Sequence, residues 1–385
     1  MTRIAALALC AAALAFAWPR AASADTGSGA AGSAAAGSAA EVPTVIVLTF
    51  GEGDRIFERW GHAALCLDYP RSGAEPICFN WGVTDFDATG ELVWGFLRGE
   101  QLFWVEPERM SIMIGFYEDE DRDIYEQKLA LAPDAAARID TAVTAALDGP
   151  WRFYVYDQFT YNCTTIIRDL LDDATRGALR DGADRPFGLT YREIGYRGLA
   201  DSPVLRGMSD FFVGRSVDAM PTVWQAMFSP DVLRDQLAQK LDAPPTVIYK
   251  RRGDPYPITG TSGAWPMLLA ALVFALPIAF SAWRRQGLVG RAPVAWATVW
   301  LGGLGLIIWS LAAISGIPGI RFNEVALIFV PFDLALPFMS RERRRRYARV
   351  RLVGLLAVAI LHAVGVLAQP LWVPIASAFA MLLFM

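Results

Sequence analysis

The sequence predicts an α+β domain followed by an all-α membrane domain, and three observations support this fold class. The 385-residue chain is 54% hydrophobic and only 19% charged, with a mean hydropathy of +0.32, which excludes disordered and nucleic-acid-binding proteins. Residues 1–262 hold 24 basic and 36 acidic side chains, a net charge of −12, whereas residues 263–385 hold 11 and 3, a net charge of +8. Strand and helix patterns precede residue 262 and long apolar runs follow it, so the two parts face different solvents.

The first 24 residues have the three parts of a secretory signal. A charged start with Arg3 precedes an apolar run from Ile4 to Trp18, and Ala22-Ser23-Ala24 ends the segment. This pattern predicts cleavage after Ala24, with an uncleaved anchor as the alternative. Residues 25–41 are small and nearly uncharged, which is typical of a flexible linker. We therefore expect an exported catalytic domain over residues 42–262.

The last third predicts a transmembrane domain of about five helices over residues 263–385. Ten of its eleven arginines fall in two short connections, 284–291 and 341–351. The positive-inside rule makes both connections cytoplasmic and places residues 42–262 outside. The apolar runs are 264–283, 293–314, 322–339, 351–368 and 371–385.

The run from Phe322 to Met339 is the least regular of the five. It contains Glu324, Asp333 and two prolines. We expect it to cross the membrane, with a re-entrant segment as the alternative. Ionisable groups at membrane depth usually face a bundle interior or a cavity, so Glu324 and Asp333 are functional candidates by location, with purely structural pairing as the alternative.

Export leaves three cysteines, Cys66, Cys78 and Cys163, in an oxidising compartment. Cys66 and Cys78 lie in two strand-like segments, 62–69 and 76–81, on either side of a turn. A hairpin with a Cys66–Cys78 disulfide is therefore the simplest pairing. Cys163 then remains as a free thiol.

Cys163 lies at the predicted start of a helix. Residues 151–156 have a strand pattern, and residues 164–173 place their apolar positions on one helical face. Asn162 occupies the N-cap position, so Cys163 falls in the first turn. A helix N-terminus favours a thiolate and offers N–H groups to an oxyanion. Cys163 is therefore a candidate nucleophile, with a buried structural cysteine as the alternative.

His62 is the candidate base for Cys163, since the sequence has no other histidine before residue 362. If Cys66 opposes Cys78 in the hairpin, Asn80 lies diagonally from His62 on the same face. Asn80 is therefore the candidate third member, which would hold the imidazole through its second nitrogen. An ordinary strand-end residue is the alternative for Asn80.

Six motifs follow one another along the chain: Trp60-Gly-His62, Asp85-Phe-Asp87, Phe96-Leu-Arg-Gly99, Tyr161-Asn-Cys-Thr-Thr165, Thr190-Tyr-Arg192 and Asn323-Glu324. In this order, from about residue 46 to 340, they resemble the Lnb-type bacterial lipoprotein N-acyltransferases. More broadly, a histidine at the front of a strand and a later Asn-Cys that opens a helix resemble the circularly permuted papain-like fold of NlpC-type peptidases and lecithin:retinol acyltransferase-like enzymes.

The resemblance implies a permuted papain-like domain in the periplasm, with Cys163 as nucleophile and His62 as its base. It implies a two-step acyl transfer at the outer leaflet of the bacterial inner membrane. A phospholipid would acylate Cys163, and the α-amine of a diacylglyceryl-cysteine lipoprotein would accept the acyl group. This chemistry needs no cofactor, no metal and no nucleic acid.

Two further points stay open at the level of sequence. Arg98 is a candidate to bind a phospholipid phosphate, with a structural ion pair as the alternative. A membrane-anchored cysteine hydrolase, acting on cell-wall peptide or phospholipid, is the alternative function, and a catalytically silent scaffold is a third. The several apolar runs favour the acyltransferase, because a peptidase needs only one anchor.

Overall fold

Seven antiparallel strands form the sheet that carries the candidate site. A computed structural model describes residues 41–284 and 289–385, so the predicted signal and all but the last residue of the linker lie outside the described residues. The strands pair in the order β6-β4-β3-β2-β1-β5-β7. Their bounds are β1 Thr44–Phe50, β2 His62–Asp68, β3 Ile77–Val83, β4 Leu102–Arg109, β5 Ile124–Leu129, β6 Phe153–Val155 and β7 Thr246–Tyr249.

Eight helices belong to the part of this domain that the structure describes. They are α1 Thr89–Arg98, α2 Met110–Asp119, α3 Pro133–Leu147, α4 Cys163–Ala174, α5 Tyr191–Arg197, α6 Pro203–Phe212, α7 Val223–Ala226 and α8 Pro230–Lys240. Short 3-10 turns lie at Ile56–Glu58, Gly149–Arg152 and Arg215–Asp218.

Both faces of the sheet are buried, because alternate residues of its central strands are apolar on each side. Val45 and Val47 of β1 pack with α3, α4 and α8. Ile46 and Leu48 of the same strand pack on the other face, against α2. The central strand β2 is thereby enclosed, and the site lies where β2 begins. This mixed architecture with an antiparallel sheet confirms the predicted α+β class.

Two helices after the sheet domain have the character of membrane spans. Among the described residues, α9 Ala264–Arg284 and α10 Arg291–Ile314 are long and apolar enough to cross a membrane. Only 17% and 33% of their apolar windows are buried, whereas the core helix of a soluble protein is mostly buried. Leu276 and Trp283 of α9, for example, are 60% and 77% exposed. The outward faces of both helices therefore suit a lipid environment.

The third apolar run, Phe322–Met339, does not form one continuous helix. It folds as two 3-10 segments, Glu324–Leu327 and Pro331–Phe338. Proline removes a backbone donor and clashes with the preceding turn, so Pro331 and Pro337 interrupt an α-helix here. The indole of Trp309 donates to the carbonyls of Ala326 and Phe329 over 3.1 and 3.2 Å. The freed backbone groups thus find partners inside the protein, as non-helical chain at membrane depth requires.

The arginine-rich segment 341–351 is helical and is not a loop between spans. It forms the first half of α12, Arg341–Ala363, and Ser340 caps this helix by accepting from the N–H of Arg343. Arginine is a good helix former, and the apolar half of α12 follows directly. The remaining helices are α11 Pro318–Arg321, which precedes the broken run, and α13 Trp372–Leu382 at the end of the chain.

The sheet domain and the apolar helices are joined by buried polar contacts. The side-chain amide of Asn323 donates to the carbonyl of Phe211 over 2.8 Å, and that of Gln369 donates to the carbonyl of Asp210 over 3.0 Å. Arg215 forms an ion pair of 3.1 Å with Glu324, which is 6% exposed. The 210–215 segment therefore binds directly to the 322–324 segment and to Gln369.

Candidate functional site

His62, the first residue of β2, lies beside Asn80 of β3. The Nε2 of His62 is 2.8 Å from the Oδ1 of Asn80. Because a carboxamide oxygen only accepts hydrogen bonds, Nε2 is the donor in this contact, and in the neutral imidazole Nδ1 keeps the lone pair. The predicted contact between these two residues is present in the structure, while the catalytic role of each stays a prediction.

The disulfide between Cys66 and Cys78 sets the register that brings His62 and Asn80 together. The bond is formed, as the sequence predicts, and Cys66 pairs directly with Cys78 across β2 and β3. Continuing that register places Gly82 opposite His62. A Cβ at Gly82 would lie 2.6 Å from the imidazole Cε1, so the missing side chain makes room for the ring.

Cys163 is the first residue of α4, and the predicted cap is confirmed. The side-chain oxygen of Asn162 accepts from the N–H of Thr165 over 2.8 Å. The amide nitrogen of Asn162 donates to the carbonyls of Gln158 and Phe228 over 2.9 and 3.0 Å. Asn162 is 3% exposed, so all of this bonding is internal. The cap fixes the first turn of α4 and the direction of the Cys163 side chain.

The pKa of the Cys163 thiol results from opposing effects. Burial raises it, but the charge of His62 and hydrogen bonds from His62, Thr164 and the backbone N–H of Ala63 lower it to about 7. A charge on His62 acts most strongly at short range in a poorly hydrated site. Cys163, which is partly buried and free of any disulfide, therefore has a large thiolate fraction at neutral pH.

Backbone N–H groups contribute to the site. The N–H of Ala63, next to His62 in β2, is one of the donors that lower the pKa of Cys163. The first N–H groups of a helix have no intrahelical acceptor, and the Asn162 side chain takes that of Thr165. The N–H groups of Cys163 and Thr164 are therefore available to an oxyanion that forms next to the sulfur.

Three tyrosines lie within electrostatic range of the thiol. For Tyr117, Tyr154 and Tyr156, burial raises the pKa well above its usual range, and the charge of Cys163 raises each one further, while Arg122 opposes the shift at Tyr117. The Tyr117 ring also lies nearly parallel to that of His62, with centroids 6.1 Å apart. Burial therefore keeps these three phenols neutral.

Sequence reasoning did not find these tyrosines or the Ala63 N–H. The alternation of Tyr154 and Tyr156 in a short strand before Cys163 was the available signal for two of them. Nothing near Tyr117 in the sequence points to His62. The sequence likewise does not predict the contact of Arg122, whose guanidinium lies 4.6 Å from the centroid of the Tyr117 ring.

The other candidates lie outside this cluster of contacts. Arg98 pairs with Glu100 over 2.7 Å on the surface. Asp333 is fully buried and accepts from Tyr347 and Arg351. Within residues 41–284 and 289–385, no group of three or more histidine, cysteine or acidic side chains is placed to hold a metal ion.

A cleft of about 490 Å³ lies next to the site and does not include Cys163. It shares Phe50 and Gly61 with the surroundings of His62. Two of the ion pairs in its lining are Arg197 with Asp231 over 2.8 Å and Lys250 with Asp123 over 2.6 Å.

The site thus combines a thiol of lowered pKa, Cys163, with an imidazole held by Asn80. It belongs to an antiparallel sheet domain that is followed, among the described residues, by two long apolar helices. In a comparison with known protein families, residues 36–195 match the Lnb N-terminal periplasmic domain. This part of the chain, which contains His62, Asn80 and Cys163, is therefore similar to the Lnb family. The match and the apolar helices point to a membrane protein with a periplasmic domain.

Neither the curated proteins nor the solved structures contain a match to this chain.

Proposed function

We propose that the protein is a lipoprotein N-acyltransferase that moves an acyl chain from a phospholipid, through a thioester on Cys163, to the α-amine of a diacylglyceryl-cysteine lipoprotein. The observation that carries this proposal is the Cys163 thiol itself. It sits in the first turn of a capped helix, its pKa is lowered to about 7, and His62 lies beside it. The Lnb domain match supports the assignment to this class of reaction.

The first step forms the thioester. The Cys163 thiolate attacks the ester carbonyl carbon of the phospholipid, and the carbonyl oxygen becomes an oxyanion facing the first-turn N–H groups. The tetrahedral intermediate then collapses, the C–O bond breaks, and the lysophospholipid oxygen takes the proton that His62 received from the thiol.

The second step transfers the acyl group. The lipoprotein α-amine attacks the thioester carbonyl, and Nδ1 of His62 takes a proton from the attacking nitrogen. The C–S bond breaks, an amide forms, and Cys163 is restored. The hydrogen bond from Nε2 to Asn80 keeps Nδ1 directed at the reacting atoms throughout.

The surroundings favour transfer over hydrolysis. Tyr154 and Tyr156 are buried or partly buried in the hydrophobic core against which Cys163 also packs, and these apolar surroundings limit the access of water to the thioester. Both substrates are lipid-anchored, and the apolar helices α9 and α10 would keep the site at a membrane surface. Their arginine-bearing ends, Arg284 and Arg291, lie at the opposite end of each helix from the sheet domain. This supports the proposed location in the inner membrane with the domain in the periplasm.

We also interpret the domain as a permuted papain-like fold. The helix that presents Cys163 packs against β2, the strand that begins with His62. His62, the base, precedes Cys163, the nucleophile, in the chain, and this is the order expected in the permuted form. Residues 42–262 would form this catalytic domain and residues 263–385 the membrane domain.

Mass spectrometry of lipoprotein N-termini, from cells that depend on this protein, tests the proposal. Cys163→Ala and Cys163→Ser are expected to abolish N-acylation and the acyl adduct on the protein. Thr141→Ala, an exposed change on α3, is the matched control and should retain both. Triacylated lipoproteins that persist with Cys163→Ala would overturn the mechanism. Stem-peptide cleavage or fatty-acid release that depends on Cys163, without transfer, would favour the hydrolase.

A further inference from the structure

A row of aromatic rings leads from the surface of the sheet domain to the catalytic thiol. Phe57, in the connection before His62, is 43% exposed. Its ring lies 5.2 Å from that of Phe96 on α1, and Phe96 lies 5.6 Å from Tyr156. Phe96, Tyr156 and Cys163 all pack against the same hydrophobic core.

The inner end of this row is Tyr156, which lies close to Cys163 in the fold. An antiparallel bridge between Asp157 and Tyr161 turns the chain back on itself, so that Tyr156 and Cys163 flank the same tight turn. Phe103, which is 5% exposed, packs against Tyr156 with ring centroids 4.7 Å apart. The row is therefore apolar from Phe57 to the turn that precedes Cys163.

The helix that carries Phe96 ends beside an apolar helix. Gly99, three residues beyond Phe96, packs against Gly316 and Ile317, which follow the last residue of α10. The carbonyl of Arg98 leaves no room for a Cβ at Gly316. At the exposed end of the row, Phe86, 36% exposed, lies 6.3 Å from Phe57.

We propose that Phe57, Phe86, Phe96 and Tyr156 form an acyl-chain track that binds the hydrocarbon tail of the group carried on Cys163. This inference rests on the proposed function, because the tail belongs to the acyl group of the thioester. Exposed phenylalanine rings are unfavourable in water, and a bound hydrocarbon tail would cover their apolar surface. The row lies next to the thiol at Tyr156, and the helix that carries Phe96 contacts the end of α10 through Gly99, and these two neighbours select a lipid tail as the occupant.

The track makes a specific kinetic prediction. Each methylene that moves from water to apolar surface improves binding by roughly fourfold. Acylation of Cys163 should therefore be faster with a long acyl ester than with a short one, and the ratio should depend on the track residues. The short ester has too short a tail to extend along the track, so its rate reports on the reactivity of Cys163 and His62.

The test uses the full-length protein in detergent with p-nitrophenyl palmitate and p-nitrophenyl butyrate, and follows the Cys163 adduct by intact mass. Phe57→Ala, Phe57→Glu and Phe96→Ala are expected to lower the palmitoyl-to-butyryl rate ratio by roughly fourfold or more. Phe57→Leu should keep the wild-type ratio. Phe153→Ala is the matched control, since Phe153 is also an exposed phenylalanine but its neighbour Tyr154 takes the inward position.

Transfer of palmitate to a synthetic lipopeptide amine is measured in parallel. An unchanged ratio in Phe57→Ala, Phe57→Glu and Phe96→Ala, with transfer intact, overturns the track and leaves the proposed function standing. An adduct that forms without transfer contradicts the proposed function, while the ratio still decides the track. A wild-type protein that forms no adduct with either ester overturns both.

Discussion

The Nε2 of His62 and the Oδ1 of Asn80 lie 2.8 Å apart, and this contact uses Nε2, which leaves Nδ1 as the nitrogen that can act on Cys163. The two residues are 18 positions apart in sequence, and the hairpin between them is closed by the Cys66–Cys78 disulfide. A covalent bond thus holds the register of the two strands whose side chains orient the base.

Asn80→Ala is expected to slow acylation of Cys163 by about tenfold or more, because the imidazole loses its fixed tautomer and orientation; a positioned base contributes about 10²–10⁴-fold in all. Asn80→Asp should act differently. Its carboxylate stabilises the imidazolium and hence the thiolate, so the pKa of Cys163 should fall below about 7. Adduct formation measured against pH separates the two variants, and identical pH profiles would show that Asn80 has only a structural role.

His62→Ala is expected to raise the pKa of the Cys163 thiol above about 7, because burial then acts without the opposing charge and hydrogen bond of His62. The thiolate fraction at neutral pH falls accordingly. Iodoacetamide alkylation of Cys163, followed against pH, should show a midpoint moved to higher pH. His362→Gln changes the other histidine, which contacts Leu367 and Trp372, and should leave the midpoint where it is. An unmoved midpoint in His62→Ala would disprove the coupling.

Replacing Cys66 and Cys78 together by alanine is expected to lower the free energy of unfolding by about 3 kcal/mol, since the bond closes a short loop in the unfolded chain. Both side chains are fully buried, so the change acts on stability first. Thermal unfolding of the purified protein measures it, with Cys163 alkylation in the folded state as the second readout. If the variant lost Cys163 reactivity while its melting temperature stayed unchanged, the disulfide would not act mainly through stability, and this prediction would be wrong.

Arg215→Ala is expected to destabilise the junction between the sheet domain and the apolar helices by roughly 1–3 kcal/mol, because it leaves the buried carboxylate of Glu324 without its ion pair. The exposure of Arg215, whose side chain is 53% accessible, keeps the effect moderate. Adding Glu324→Gln removes the buried charge and should restore part of the melting temperature. A double variant that is less stable than Arg215→Ala would contradict this account.

Local chemistry made much of the site predictable from sequence. Asn162 predicted the start of α4, and the spacing of Cys66 and Cys78 predicted the hairpin register that places Asn80 beside His62. Both inferences use short-range rules of capping and strand pairing. The stacking of Tyr117 on His62 depends on how α2 packs against the sheet, which no local pattern encodes.

The run Phe322–Met339 shows where composition misleads. Its apolar content predicts a membrane helix, yet Pro331 and Pro337 were visible as breaks. What the sequence did not reveal is that Trp309 lies close enough to bind the freed carbonyls. A long-range partner decides whether such a segment crosses or folds back.

The contacts of Asn323, Glu324 and Gln369 with the 210–215 segment have a consequence for how substrates meet the enzyme under the proposed function. They tie the sheet domain to the apolar helices, so the thiol keeps a constant height above the lipid surface. Donor and acceptor then reach it by lateral diffusion within one leaflet. The rate should follow the surface density of each lipid-anchored substrate, and dilution of the vesicles at constant lipid composition should leave it unchanged.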